Sequence, residues 1–254
     1  GVKVIFIDEI SMISSVIWGL LYIIKKKYGF TFIGFGDFYQ LAPVLEEKYY
    51  TRYKRSKLLN YIFDGQYMEL TTNYRVIGNP SSRIFYEQLD RARIGQKIDK
   101  HLFGNTVCDF ALAWSNKNVD LHNQMMMEKK IKDIEHEKLS DNMYLYVGLP
   151  IIACNTFREY VNNEDFIIVS YDNSTIVIKN ERQEIEITRE TLLKDFKAFY
   201  ACTVHKAQGM EFNFPYTIYG WNHMSPNMLY TAISRSTCIE NVNLVYGIKN
   251  TSQK

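Results

Sequence analysis

The 254-residue chain is 46% hydrophobic and 23% charged, with a formal net charge of +2. That composition describes a globular protein and argues against a disordered or low-complexity one, and it offers no basic footprint that would announce a nucleic-acid partner. Cys108, Cys154, Cys202 and Cys238 form no C-x-x-C pair and the five histidines are scattered, so no zinc site is expected and the cysteines read as reduced core residues.

Val2 to Ile7 is a continuous apolar run, as expected of a strand buried on both faces of a parallel sheet, and it delivers Asp8-Glu9. The apolar stretch from Val16 to Ile24 is too short to span a bilayer. With Ser14 or Ser15 as cap and Lys25-Lys26-Lys27 in its last turn, it predicts a helix. The first residues have no signal-peptide pattern, which makes an intracellular compartment the default expectation. Thr31 to Phe35 is a second strand leading into Gly36-Asp37. Strand, helix and strand, both strands ending in acidic loops, predict a doubly wound α/β sheet, whose ligands bind beyond the carboxyl ends of its strands.

Further along, Leu58 to Phe63 reads as a short helix and Tyr67 to Leu70 as a short strand reaching Asn73-Tyr74-Arg75. Asn79-Pro80 opens another helix. A second unit begins at Val107 to Ala113 and continues into a helix from Ser115-Asn116 toward Met127. Between about 143 and 191, short β-branched runs alternate with turn residues such as Asn162-Asn163 and Asp172-Asn173, predicting an inserted antiparallel β module. Phe199 to Cys202 resumes the α/β texture, Ser225-Pro226 starts a last helix, and Val242 to Tyr246 is the final strand.

Five segments carry candidate chemistry. In VIFIDEIS, Val4 to Ser11, adjacent carboxylates leave one strand end: Asp8 suits a magnesium ion and Glu9 an attacking water, as phosphoryl transfer requires. The plain alternative is a solvated acidic turn. In GDFYQLAPV, Gly36 to Val44, Asp37 and Gln40 flank those acids, and a neutral amide can sense a terminal phosphate without repelling it; a polar turn is the alternative. Arg75, in LTTNYR, offers a bidentate fork for phosphate, although a lone arginine more often makes a surface ion pair. In TVHKAQGMEF, Thr203 to Phe212, hydroxyl, imidazole, cation and amide crowd the end of an apolar strand. Thr203, His205 and Lys206 suit a nucleic-acid backbone, and Gly209 permits close approach of a ligand; an ordinary strand-to-helix loop is the alternative. In LYTAISRS, Leu229 to Ser236, Tyr230, Ser234 and Arg235 cluster by helical spacing. Arg235 suits an arginine finger or, more plainly, a helix-capping cation.

Taken in order, these segments resemble motifs II to VI of superfamily 1B helicases, most closely the RecD-like and petite-integration-frequency type, which includes viral members. The resemblance covers nearly the whole chain. It implies an α/β fold of two RecA-like P-loop lobes, the first incomplete, with a small SH3-like β insertion in the second. The corresponding domains are 1–105 and 106–254, the insertion lying at about 143–191. ALAWSNKNVDLHN, Ala111 to Asn123, is similar to the segment opening the second lobe. Carried over, Asp8 binds magnesium and Glu9 is the general base. Gln40, Arg75 and Arg235 contact the γ-phosphate of ATP, with Asp37 and Gly209 close to it and Glu211 near the sugar. Thr203, His205 and Lys206 lie on the nucleic-acid path. Ala42 and Ala207 depart from the usual proline and serine without removing a charged group.

A larger departure concerns the phosphate-binding loop. No glycine in the chain is followed by lysine, so no G-x-x-x-x-G-K-[ST] sequence is present. The expectation is therefore an ATP-dependent 5′-to-3′ DNA helicase on single-stranded DNA, a monomer, present as a fragment whose upstream segment carries that loop, and inactive alone. Three other readings stay open: a non-catalytic nucleic-acid-binding remnant, a superfamily 1 RNA helicase, and a structural NTPase-like domain.

Overall fold

A computed structural model describes residues 3–43, 56–72 and 82–248. In chain order its strands and helices are β1 (Val4–Ile7), α1 (Ser15–Tyr28), β2 (Thr31–Gly34), α2 (Lys57–Ile62), α3 (Ser82–Arg93), β3 (Phe110–Ala113), α4 (Asn116–Lys130), β4 (Glu137–Ser140), β5 (Met143–Leu145), β6 (Pro150–Ala153), β7 (Asp165–Tyr171), β8 (Ile176–Lys179), β9 (Glu184–Ile187), α5 (Arg189–Asp195), β10 (Phe196–Ala198), β11 (Ala201–Thr203), β12 (Tyr216–Tyr219), α6 (Pro226–Ile233) and β13 (Val242–Val245). The chain divides into two compact units: Gly1–Leu102 with Met224–Ile239, and Phe103–His223 with Glu240–Lys254. The segment 224–239, which the sequence reading assigns to the second lobe, thus clusters with the first.

In the first unit β1 and β2 pair in parallel, Val4 opposite Thr31 and Ile7 opposite Gly34, with α1 as the crossover. One face of the pair, carrying Ile5, Ile7 and Phe32, packs on Trp18, Leu59 and Ile62. α1 ends where expected, on a left-handed Gly29 whose N–H donates to the Lys25 carbonyl, with Lys25–Lys27 in the last turn. Ser14 is its N-cap, but by backbone geometry only, since its side chain makes no capping bond.

Two expectations fail here. β1 is not buried on both faces: Val4 and Phe6 are 40% and 67% exposed, because they share the open face of the pair with Thr31 and Ile33. Tyr67 to Leu70 forms no strand; Tyr67, Met68 and Leu70 are exposed, and no ladder partner meets them among the described residues. The helix start at Asn79-Pro80 lies outside the described residues.

Besides the two-stranded β4-β5 ladder, the second unit holds two larger sheets. One is parallel, order β11-β3-β12-β13, with a buried interior at Ala111, Leu112, Ala113, Tyr216 and Ile218. Buried His122 of α4 fastens the helix to it: Tyr219 donates to Nδ1 and Nε2 donates to the Asp109 carbonyl, both at 3.1 Å. The other is antiparallel, order β10-β6-β7-β8-β9. Its inward residues, Phe166, Ile168, Ile176 and Ile178, alternate with outward ones and build a core with Leu145, Leu149 and Phe196. Burial drives the Cys202 thiol up to about 12, so the most buried cysteine is an inert core residue.

Candidate functional site

In the first unit the ends of β1 and β2 lie side by side. Ile10 N–H donates to the Phe35 carbonyl at 2.9 Å and joins the two exits. Gly36 is needed there: a Cβ would come within 2.8 Å of the Ile10 nitrogen. Asp8 accepts the Glu9 N–H at 2.8 Å. Glu9 itself sits at φ 50°, ψ 44°, in the left-handed region, which turns its side chain away from the line of the strand. Such a conformation costs a non-glycine residue roughly 1–2 kcal/mol. The adjacent carboxylates therefore leave the strand in different directions.

Beyond Gly36, the turn from Asp37 to Gln40 closes on itself. Asp37 accepts the Tyr39 N–H at 2.9 Å, and Gln40 N–H donates to the Asp37 carbonyl at 3.0 Å. Helix α6 holds this turn from the side. Asn227 donates to the carbonyls of Tyr39 and Gln40 at 3.0 and 2.9 Å, and the Tyr230 hydroxyl donates to Asp37 at 2.9 Å. Burial and the neighbouring Asp37 carboxylate push the Tyr230 phenol well above its usual range, so it stays a donor.

A cavity of about 1270 Å³ opens here, lined by Gly36, Asp37, Gln40, Arg93, Tyr230 and Arg235 among others. Asp8 and Glu9 do not line it, although Ile10, next in the chain, does. Arg235 is 3% exposed. Its Nε donates to the Thr231 carbonyl at 2.9 Å and Nη2 to Ser234 at 3.0 Å, so it caps α6 while standing in the cavity wall. The buried Oε1 of Gln40 has no hydrogen-bond partner among the described residues. Asp37, Gln40 and Arg235 are thus brought together, whereas Arg75 lies outside the described residues.

Sequence reasoning overlooked two residues that hold this turn: Arg93, in the cavity wall, and Asn227, behind it. Asn227 precedes Tyr230 by one helical turn on the same face, a spacing that could have paired them. Arg93 stacks on the Tyr39 ring at 4.7 Å and pairs with Asp90 at 2.7 Å. Nothing in its sequence setting separates it from an ordinary helix-end cation.

The second unit carries the remaining candidates. β11 ends at Thr203, whose Oγ1 accepts the Lys206 N–H at 3.3 Å and folds the following turn. His205 is half-buried and its Nε2 lacks a partner among the described residues. Lys206 is also half-buried, and burial pulls its ammonium below the usual value. Gly209 takes φ +83°, which explains the glycine, and open space surrounds its Cβ position. Glu211 is exposed.

Residues 198–238 match the family described as the UvrD-like helicase C-terminal domain. The chain is 27% identical to the ATP-dependent DNA helicase Pif1 of Campylobacter jejuni, over 93% of this chain and 68% of that protein. It is 26% identical to the RecBCD enzyme subunit RecD of Buchnera aphidicola, over 92% of this chain and 52% of that protein. Among solved structures, a Pif1 helicase unwinding forked double-stranded DNA superposes with a TM-score of 0.70 at 19% identity, over 97% of this chain and 70% of that one. Bacteroides Pif1 in complex with ADP-AlF3 and single-stranded DNA gives 0.64 at 18%, over 97% and 71%. The parallel sheets and these superpositions define a RecA-like α/β protein. Within that class the chain is similar to superfamily 1 helicases, with Pif1-like and RecD-like homologues. It spans about two thirds of the Pif1 relative and about half of the RecD relative.

Proposed function

We propose that this chain is the part of an ATP-dependent DNA helicase that completes nucleotide sensing and grips single-stranded DNA, moving 5′ to 3′. The observation that carries the reading is the wall shared by Asp37, Gln40 and Arg235 beside the strand end bearing Asp8 and Glu9. The residues fit a nucleotide. Gln40 Oε1 is a buried acceptor awaiting a donor, and such a group persists only where something else satisfies it. Gly36 keeps the exit free of side-chain bulk. Among the described residues no cluster of three or more metal-binding side chains occurs. Magnesium typically takes one or two carboxylates and completes its shell with phosphates and water, and Asp8 offers one such carboxylate.

ATP, when bound, supplies the phosphoryl group whose transfer to water drives movement. Asp8 would hold the magnesium ion, keeping one carboxylate oxygen tied to the Glu9 N–H. Glu9, turned aside by its left-handed backbone, would accept the proton of the attacking water. Gln40, Arg235 and Arg75 would contact the γ-phosphate. Asp37 would keep the turn in place through Tyr230. Gly209 and Glu211 would approach the nucleotide, while Thr203, His205 and Lys206 would take the DNA backbone. The phosphate-binding loop would come from sequence outside these 254 residues, so the chain alone should release negligible phosphate from ATP.

Titrating a labelled single strand, as DNA and as RNA of the same sequence, tests the reading. Tighter binding of the DNA, weakening steeply with salt, is expected. A preference for RNA would move the assignment to an RNA helicase, and no binding to either would remove it.

A further inference from the structure

We infer that Trp114, Trp221 and Tyr246 form a base-stacking platform for single-stranded nucleic acid along the carboxyl edge of the β11-β3-β12-β13 sheet. This rests on the nucleic-acid reading above and adds a site to it. Trp114 directly follows β3, Gly220-Trp221 follow β12, and Tyr246 directly follows β13. The three strands are parallel neighbours, with Ala113 opposite Tyr219 and Tyr219 opposite Val245. The rings therefore leave the sheet side by side, at the edge where parallel sheets receive ligands.

The rings make one patch. Trp221 and Tyr246 have centroids 5.6 Å apart. The Trp114 indole lies over Gly220, where a Cβ would stand 3.1 Å from its Cδ1 and Nε1, and Gly220 has a φ of +64°. Single exposed aromatics are common, but a cluster is not, and here Trp114 is 50% and Tyr246 59% exposed. The same sheet buries Tyr216 and Tyr219 completely, so its fold can enclose large rings when nothing requires them outside.

Two further observations point to a ligand with hydrogen-bonding edges and a negative backbone. The buried Nε1 of Trp221 has no acceptor among the described residues, and an oxygen of an incoming nucleotide would supply one. On the side of β11, the sheet edge continues into Thr203, His205 and Lys206, and Trp114 leads into Ser115, the cap of the 15-residue helix α4. Cations and helix N–H groups suit phosphates, and aromatic faces suit bases. A backbone track beside stacking faces is how single strands are held without reading their sequence.

The test uses the whole 254-residue chain, fluorescein-labelled oligo(dT), and the same strand with abasic positions. Trp114→Ala, Trp221→Ala and Tyr246→Ala should each weaken oligo(dT) binding about 5- to 150-fold. The abasic strand should bind the wild type more weakly and fail to distinguish wild type from variants. Trp221→Phe, which keeps a ring, should recover most of the affinity. If Tyr246→Ala and Trp221→Ala bind oligo(dT) like the wild type while Thr203→Ala weakens it, the platform is wrong and the DNA-binding reading stands. Equal wild-type affinity for the abasic strand refutes the platform without recourse to any variant. Failure of the wild type to bind oligo(dT) overturns both.

Discussion

Replacing Glu9 by glycine should leave the fold more stable than replacing it by alanine, the reverse of the usual ranking of those two residues. Both substitutions delete the carboxylate and whatever it touches, so their difference isolates one methyl group. At φ 50°, ψ 44° that methyl sits in the left-handed region and costs roughly 1–2 kcal/mol. Glycine escapes this cost but loses more chain entropy on folding, which returns roughly 0.5–1 kcal/mol. The remainder is about 0–1.5 kcal/mol in favour of Glu9→Gly. Urea unfolding of the two variants side by side, at one pH and one salt concentration, measures it. If Glu9→Gly unfolds at lower urea than Glu9→Ala, the left-handed strand exit is not the native conformation, and the argument that it aims the base fails.

Other outcomes follow from the same contacts. Asn227→Ala strips two donors from the carbonyls of Tyr39 and Gln40 and should cost about 1–3 kcal/mol in urea unfolding. Tyr230→Phe should cost a similar amount, about 1.5–3 kcal/mol, because the lost bond ends on the Asp37 carboxylate. Buried His122 is held neutral, burial lowering its pKa. Below about pH 6.5 the unfolded chain takes up the proton first, so stability should fall as the pH drops from there toward the folded-state value. Urea midpoints between neutral and acidic pH should show that slope, and His122→Gln should flatten it.

Much of this architecture is written locally. The apolar runs of β1 and β2, the lysines closing α1, Ser225-Pro226 opening α6 and the β-branched runs of β6–β9 each follow from periodicity or capping alone. What escaped was set by neighbours distant in sequence. Val4 and Phe6 look like core residues in a linear reading, yet they share the open face of the β1-β2 pair. Tyr67 to Leu70 has strand composition without a ladder partner among the described residues. The five motifs could be ordered along the chain, but the clustering of 224–239 with the first unit depends on long-range contacts such as Tyr230 to Asp37. Arg93 carries no local mark that sets it apart and Asn227 only its spacing from Tyr230, whereas the folded turn at Tyr39 and Gln40 is what each of them meets.

Phosphate release is the most direct measurement of the central proposal, made on a chimera that places a Gly-Lys-Thr phosphate loop and its strand ahead of β1. With single-stranded DNA the chimera should turn over ATP, and Arg235→Lys, which keeps the charge but loses the fork, should lower the rate on the order of a thousandfold. DNA-stimulated release that continues undiminished in Arg235→Lys and in Glu9→Gln would contradict the assignment of this strand end and cavity wall to ATP hydrolysis.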